Sequence, residues 1–163
     1  MKFDKEPKII NSNNEKEDRL KYDATVSTLK MWFESSEQFE KIIMKSVQLV
    51  TVDFTKKTIT CSMVVEQELS NIMSSLHGGV IATLVDIISS MAIMMFSGKG
   101  TPSVSVDLVI NYANAATVGQ TLYIESCAYK IGRNLAFTDT IIKGDKGIIA
   151  KGSHNKFILE PKI

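Results

Sequence analysis

The sequence predicts an α+β domain in which one antiparallel sheet wraps a single long helix. Two observations carry this. Residues 69–98 hold only one charged side chain, Asp86, in an otherwise uncharged and largely apolar run. Short β-prone segments separated by turn signals lie on both sides of that run. A long apolar helix beside such strands calls for layers that bury one another. At 163 residues the chain suits one domain with a sizeable core.

The elements follow in order. Residues 1–23 carry twelve charged side chains of both signs together with Asn11, Asn13 and Asn14, which predicts a disordered tail and leaves 24–163 as the folded domain. The tail has no apolar stretch of the secretory kind, and its Asp and Glu content argues against a transit peptide. Residues 22–45 read as helix, with Val26, Leu29 and Phe33, then Phe39, Ile42 and Ile43, at spacings of three and four. Ser35-Ser36 marks a break between two shorter helices. Two strands of a hairpin are expected at 47–54 and 58–65, where Ile59, Cys61, Met63 and Val65 alternate with smaller or polar neighbours.

The segment 76–96 is too long for a strand and apolar on nearly every side, so it must be enclosed by protein or by lipid. An Asp near a bilayer centre costs roughly 2.5–3.5 kcal/mol, and the run sits at the short limit for spanning. Enclosure by a sheet is the preferred reading, without stable membrane insertion. After the turn at 98–102 come four strand-like runs, 104–112, 122–131, 135–142 and 148–159, read as an antiparallel meander. In the first of these Val104, Val106, Leu108, Ile110 and Tyr112 alternate with Ser105, Asp107, Val109 and Asn111.

Composition excludes several functions. A net charge of +1 gives no field to attract nucleic acid. Cys61 and Cys127 lie far apart and make no metal or redox spacing, and two histidines cannot build a His-rich metal centre. A reducing cytoplasmic setting follows, with the mitochondrion open as an alternative. No nucleophile elbow, Walker loop or dinucleotide fingerprint is present.

What chemistry remains centres on Asp86. A carboxylate alone in such a helix must be paired, protonated or turned toward a cleft or the surface. Gly79, Thr83, Asp86 and Ser90 share one stripe at helical spacing, which resembles a cleft lining. His77-Gly78-Gly79 falls where the helix begins. It reads either as a tight bend with His77 as cap, or as a set of free N–H donors able to hold a developing oxyanion. His77 and Asp86 are nine residues apart, about 900° of rotation and about 13 Å along the axis, so one chain cannot bring both to one reacting group. If they act together, the site is shared across a homodimer. Asn71 and Ser105, taken alone, read as a turn former and a strand-surface residue. Met91, Met94, Met95, Ile87 and Ile88 read as an adaptable apolar tunnel or as plain core.

Asn71, His77-Gly78-Gly79, Thr83-Leu84-Val85-Asp86 and then 102–107 together resemble the hot-dog-fold thioesterases, in their phenylacetate-pathway-like group. The similarity runs through Tyr112, 130–137 and Gly152-x-His154, over roughly residues 24–157. It implies a hot-dog fold and hydrolysis of acyl-CoA to free acid and CoA; the apolar Met and Ile residues read as a tunnel favour a medium- or long-chain fatty acyl group, with an aryl acyl group as the alternative. It implies that Asp86 is the catalytic carboxylate, as base or nucleophile, that Gly78 donates to the thioester carbonyl, and that Asn71 helps hold thioester or water. Ser105 works beside Asp86, and His77 is positional. Gly79, Ser105, Tyr112, Asn114 and Thr117, with Lys130, Gly132, Arg133, Asn134 and Leu135, match the segments that hold CoA. Lys130 and Arg133 suit its phosphates, or are plain surface charge. No cofactor or metal is implied, since CoA is part of the substrate. A homodimer as active unit and a dimer of dimers are implied. Phe157 stands where similar proteins carry a polar or basic residue. The alternatives are a non-catalytic acyl-CoA-binding protein or a hydroxyacyl-thioester dehydratase of the same fold.

Overall fold

The computed structural model describes residues 1–3, 5–35, 39–98 and 102–159. Its elements are β1 (Lys8–Ile10), α1 (Glu15–Ser35), α2 (Phe39–Met44), β2 (Gln48–Asp53), β3 (Thr58–Val64), α3 (Gly78–Ser97), β4 (Ser103–Tyr112), β5 (Thr121–Ile131), β6 (Leu135–Gly144) and β7 (Gly147–Ile158). The strands form one sheet in the order β1-β2-β3-β5-β6-β7-β4. Its concave side holds α3, which packs on β3, β4, β5, β6 and β7 and is covered from outside by α1 and α2.

Helix α3 is the predicted one. His77 caps its start and Gly98, at φ +67°, ends it in the left-handed conformation that glycine adopts without a Cβ penalty. By length and composition it could cross a membrane. Leu84, Val85, Ile88 and Ala92 are fully buried among the protein's own strands and helices. Helix and sheet come close at Gly152 of β7, where a Cβ would lie 2.6 Å from Val85 Cγ1. Valine is stiff at χ1 and cannot swing aside. Gly152→Ala is therefore expected to destabilise the fold by about 1–3 kcal/mol. Chemical denaturation checks this, and an unchanged midpoint would show that the helix can lift.

Four expectations need correction. Residues 1–23 are not a loose tail: β1 pairs in parallel with β2, and α1 starts at Glu15. The stretch builds no core of its own, yet Tyr22, together with Val26 and Leu29 further along α1, adds to one that already exists, and the Ser12 N–H donates to buried Asp18 at 2.6 Å. Composition alone misses this because it counts apolar residues without asking where neighbours supply the rest. That parallel pair also makes the sheet mixed, although every other pairing is antiparallel. Third, the last four strands are not a simple meander: β5, β6 and β7 are, but β4 crosses over to pair with β7 at the open edge of the sheet. Fourth, β4 does not alternate strictly. A bulge between Ser105 and Asp107 sets Ser105 opposite Lys156 and Leu108 opposite His154, so Ser105 joins the inward face rather than the outward one. The break expected at Ser35-Ser36 matches the end of α1 at Ser35; Ser36 lies outside the described residues, as do Lys99, Gly100 and Thr101 of the expected turn.

Candidate active site

The polar groups gather in two places. The first surrounds the start of α3. His77 Nδ1 accepts from the Gly79 N–H at 2.9 Å, which consumes that donor and makes His77 a cap. The Val80 and Ile81 N–H groups both donate to the His77 carbonyl. The Gly78 N–H is left with no partner among the described residues, at the positive end of a 20-residue helix. Tyr112 reaches across from the end of β4 and donates its hydroxyl to the Gly78 carbonyl at 3.1 Å. Asn71 Oδ1 accepts from the Met73 N–H, the Ser75 N–H and the Ser75 hydroxyl, which folds the loop back on itself. Its Nδ2 has no partner among the described residues. Thr117 bridges to Ser75 in the same cluster, and Asn114 Nδ2 donates to the Ile148 carbonyl nearby.

The second place surrounds Asp86, about 12 Å further along the helix axis. Asp86 is 43% exposed at its side chain. Lys156 Nζ donates to Asp86 Oδ1 at 3.3 Å and to Ser90 Oγ at 2.7 Å, and Ser90 Oγ donates in turn to the Asp86 carbonyl. His154 is fully buried. Its Nδ1 lies 2.7 Å from Ser89 Oγ and 3.7 Å from Asp86 Oδ1, and its Nε2 lies 2.9 Å from Ser105 Oγ. The two hydroxyls can serve either tautomer. The imidazole therefore links Ser105 to Ser89, whose hydroxyl also reaches the Asp86 backbone carbonyl at 3.0 Å, and the β4 bulge is what aims Ser105 at the ring.

Burial first, and then the Lys156 charge, hold the His154 imidazole below its ordinary 6.5, against the opposing pull of Asp86 and Asp107. The ring is neutral at pH 7, so its 3.7 Å contact with Asp86 is polar rather than an ion pair. The unfolded chain takes up this proton near pH 6.5 and the folded chain only lower. Above that pH both forms are neutral and stability is unaffected; below it the unfolded state binds more protons and stability falls. Wild-type protein should thus lose more melting temperature between pH 7 and pH 5 than His154→Asn does. Parallel pH slopes would refute the point.

A cleft of about 470 Å³ opens beside Asp86, lined by the polar Glu40, Ser90, Ser103 and Lys156 and by the apolar Trp32, Phe33, Ile87, Met94 and Pro102. The expected methionine tunnel divides: Ile87 and Met94 line the cleft, whereas Met91, Met95 and Ile88 are core. Among the described residues no group of three His, Cys, Asp or Glu side chains comes together to hold a metal.

The segments expected to hold CoA do not meet in one chain. Tyr112, Asn114 and Thr117 lie by the helix start. Gly132, Arg133, Asn134 and Leu135 form the β5–β6 turn, where the Ile158 N–H donates to the Asn134 carbonyl. That turn is at the opposite end of β4. Lys130 places its ammonium 5.6 Å from the centre of the Phe137 ring.

Residues 73–150 match the family model of the thioesterase superfamily. Human acyl-coenzyme A thioesterase 13 is 38% identical over 125 residues, covering 76% of this chain and 86% of that protein. The chain belongs to the thioesterase superfamily. Among solved structures, zebra fish thioesterase superfamily member 2 superposes with a TM-score of 0.74 at 36% identity, covering 83% of this chain and 97% of that one. The Mus musculus thioesterase superfamily member 2 gives 0.69 at 31% identity, covering 91% and 98%. The fold around α3 is thus the hot-dog fold, and the activity is thioester hydrolysis.

In this thioesterase two polar residues at the site carried no assigned role from sequence, Lys156 and His154. A signal was present: Ala150, Gly152, His154, Lys156 and Ile158 alternate along β7 and all point inward. Two polar side chains on an inward strand face need a partner, and Asp86, Ser89 and Ser90 are the polar part of the helix that face packs on.

Proposed function

We propose that this thioesterase hydrolyses medium- and long-chain fatty acyl-CoA at a site built by two subunits. One observation carries the reading: the donors at the helix start and the carboxylate sit at opposite ends of the same edge strand. Tyr112 marks one end of β4 and Ser105 the other, about 20 Å apart at the strand rise. The free edge of β4 is apolar, with Val104, Val106 and Val109 about half exposed. Antiparallel pairing of that edge with a second copy about a two-fold axis lays the partner's Tyr112 beside Ser105. The partner's Gly78 N–H then faces Asp86, and the two CoA segments become neighbours.

The reaction follows from that juxtaposition. Asp86 takes a proton from water while the water oxygen bonds to the thioester carbonyl carbon. The Gly78 N–H holds the resulting oxyanion. Collapse expels the CoA sulfur, which takes up the proton, giving free acid and CoA. The apolar part of the cleft, Trp32, Phe33, Ile87 and Met94, receives the acyl chain, and a stretch of this kind beside the polar Asp86 end suits a chain better than a small polar group. The test is thiol release over a panel of acyl-CoA lengths, with phenylacetyl-CoA included. Rising kcat/KM up to medium or long chains is expected. A preference for acetyl- or phenylacetyl-CoA would overturn the chain assignment, and CoA binding without thiol release would overturn hydrolysis.

A further inference from the structure

Lys156 is 5% exposed and belongs to an inward strand face otherwise built of Ala150, Gly152, His154 and Ile158. Packing alone does not ask for an ammonium here; an apolar side chain of the same length would fill the space without the cost of desolvating a charge. The ammonium is fixed at two points of α3. It donates to Ser90 Oγ at 2.7 Å, and Ser90 is itself tied to the helix backbone through the Asp86 carbonyl at 2.7 Å. It donates to Asp86 Oδ1 at 3.3 Å, the same oxygen that His154 Nδ1 approaches to 3.7 Å. Asp86 Oδ2 has no partner among the described residues, on a side chain that lines the cleft.

We propose that Lys156 is a positioning residue for the reaction: it pins Asp86 Oδ1 so that Oδ2 is the oxygen presented to water. The proposal rests on the reading of Asp86 as the base and assigns Lys156 no contact with the reacting atoms. A carboxylate held by one oxygen keeps a single rotamer, whereas a half-exposed Asp without that anchor samples several. Misplacement of a catalytic group by about 1 Å can cost about 100-fold in rate. Lys156 also lines the cleft, but its ammonium is engaged by Ser90 and Asp86 and its stem is matched in volume by methionine, so substrate binding changes little when the donor alone is removed.

Three variants separate the outcomes. Lys156→Met, which keeps the volume and removes the donor, is expected to lower kcat by about 10- to 100-fold with KM changed less than about threefold. Lys156→Gln retains an N–H donor toward Oδ1 and recovers most of that loss. In an Asp86→Asn background Lys156→Met has no further effect on rate, because it acts only through the carboxylate. Wild-type kcat in Lys156→Met, failure of Lys156→Gln to recover activity, or a full multiplicative loss in the double variant would each overturn the proposal. Failure of the underlying reading shows separately, as undiminished turnover in Asp86→Asn alone.

Discussion

Asp86→Asn is expected to lower kcat by about 100- to 10,000-fold while CoA affinity stays unchanged, the span typical of removing a general base. The substitution keeps the size of the side chain and a carbonyl oxygen for Lys156 and removes the basic oxygen. Asp86 is 43% exposed and its Oδ2 has no partner among the described residues, so the amide group meets water and no buried acceptor among them is orphaned. The fold is therefore retained, and a loss of rate can be assigned to chemistry. A melting curve and a CoA titration accompany the assay. Full activity in a preparation free of wild-type protein would remove Asp86 from the mechanism and leave the cleft without a base.

The second large effect is expected at Gly78, and here the backbone itself can be edited. Gly78 is the first residue of α3, the one helical position where proline is favoured because its missing N–H has no helical partner. His77 at φ −63° and ψ 135° already has the extended conformation that a following proline demands. A Cβ at this position meets the Tyr112 ring at 3.5 Å, an ordinary contact. Gly78→Pro should thus fold, keep its helix and lose the proposed oxyanion donor, at a cost of about 100- to 1,000-fold in kcat. Mixing gives the sharper result. Neither Gly78→Pro nor Asp86→Asn homodimers turn over, but a mixed dimer carries one site with both groups intact and recovers about half of the activity per dimer, as isologous geometry requires. Two inactive proteins that stay inactive after co-refolding would place donor and carboxylate within one chain.

How much of this could be read beforehand depended on whether a signal was local. The helix from Gly78 to Ser97, its cap at His77 and the isolated carboxylate at Asp86 are consequences of short-range pattern, and the structure places them where the pattern does. His77 Nδ1 accepts from the Gly79 N–H, the capping contact that one of the two sequence readings of this segment allows. The route from Ser105 to Asp86 depends on a bulge, and a single extra residue in β4 inverts which side chains share a face. Alternation along β7 marks Lys156 and His154 as inward-facing, but that they meet Asp86 depends on β7 lying against α3 across some seventy positions of chain, a pairing that no local spacing announces. The expectation of a disordered tail at 1–23 failed for the same reason: Tyr22, with Val26 next along α1, is too little to make a core and quite enough to join one.

The open edge of β4 has a bearing on handling as well as on activity. A ten-residue strand with valines facing water and unpaired peptide groups is a template for any other extended chain. Self-association by two-fold pairing closes the template, because each edge caps the other and nothing further can add. Variants that weaken this pairing without charging the edge should therefore come out of expression as precipitate or as growing stacks, and lysines at Val106 and Val109 would be the way to keep a lone subunit in solution.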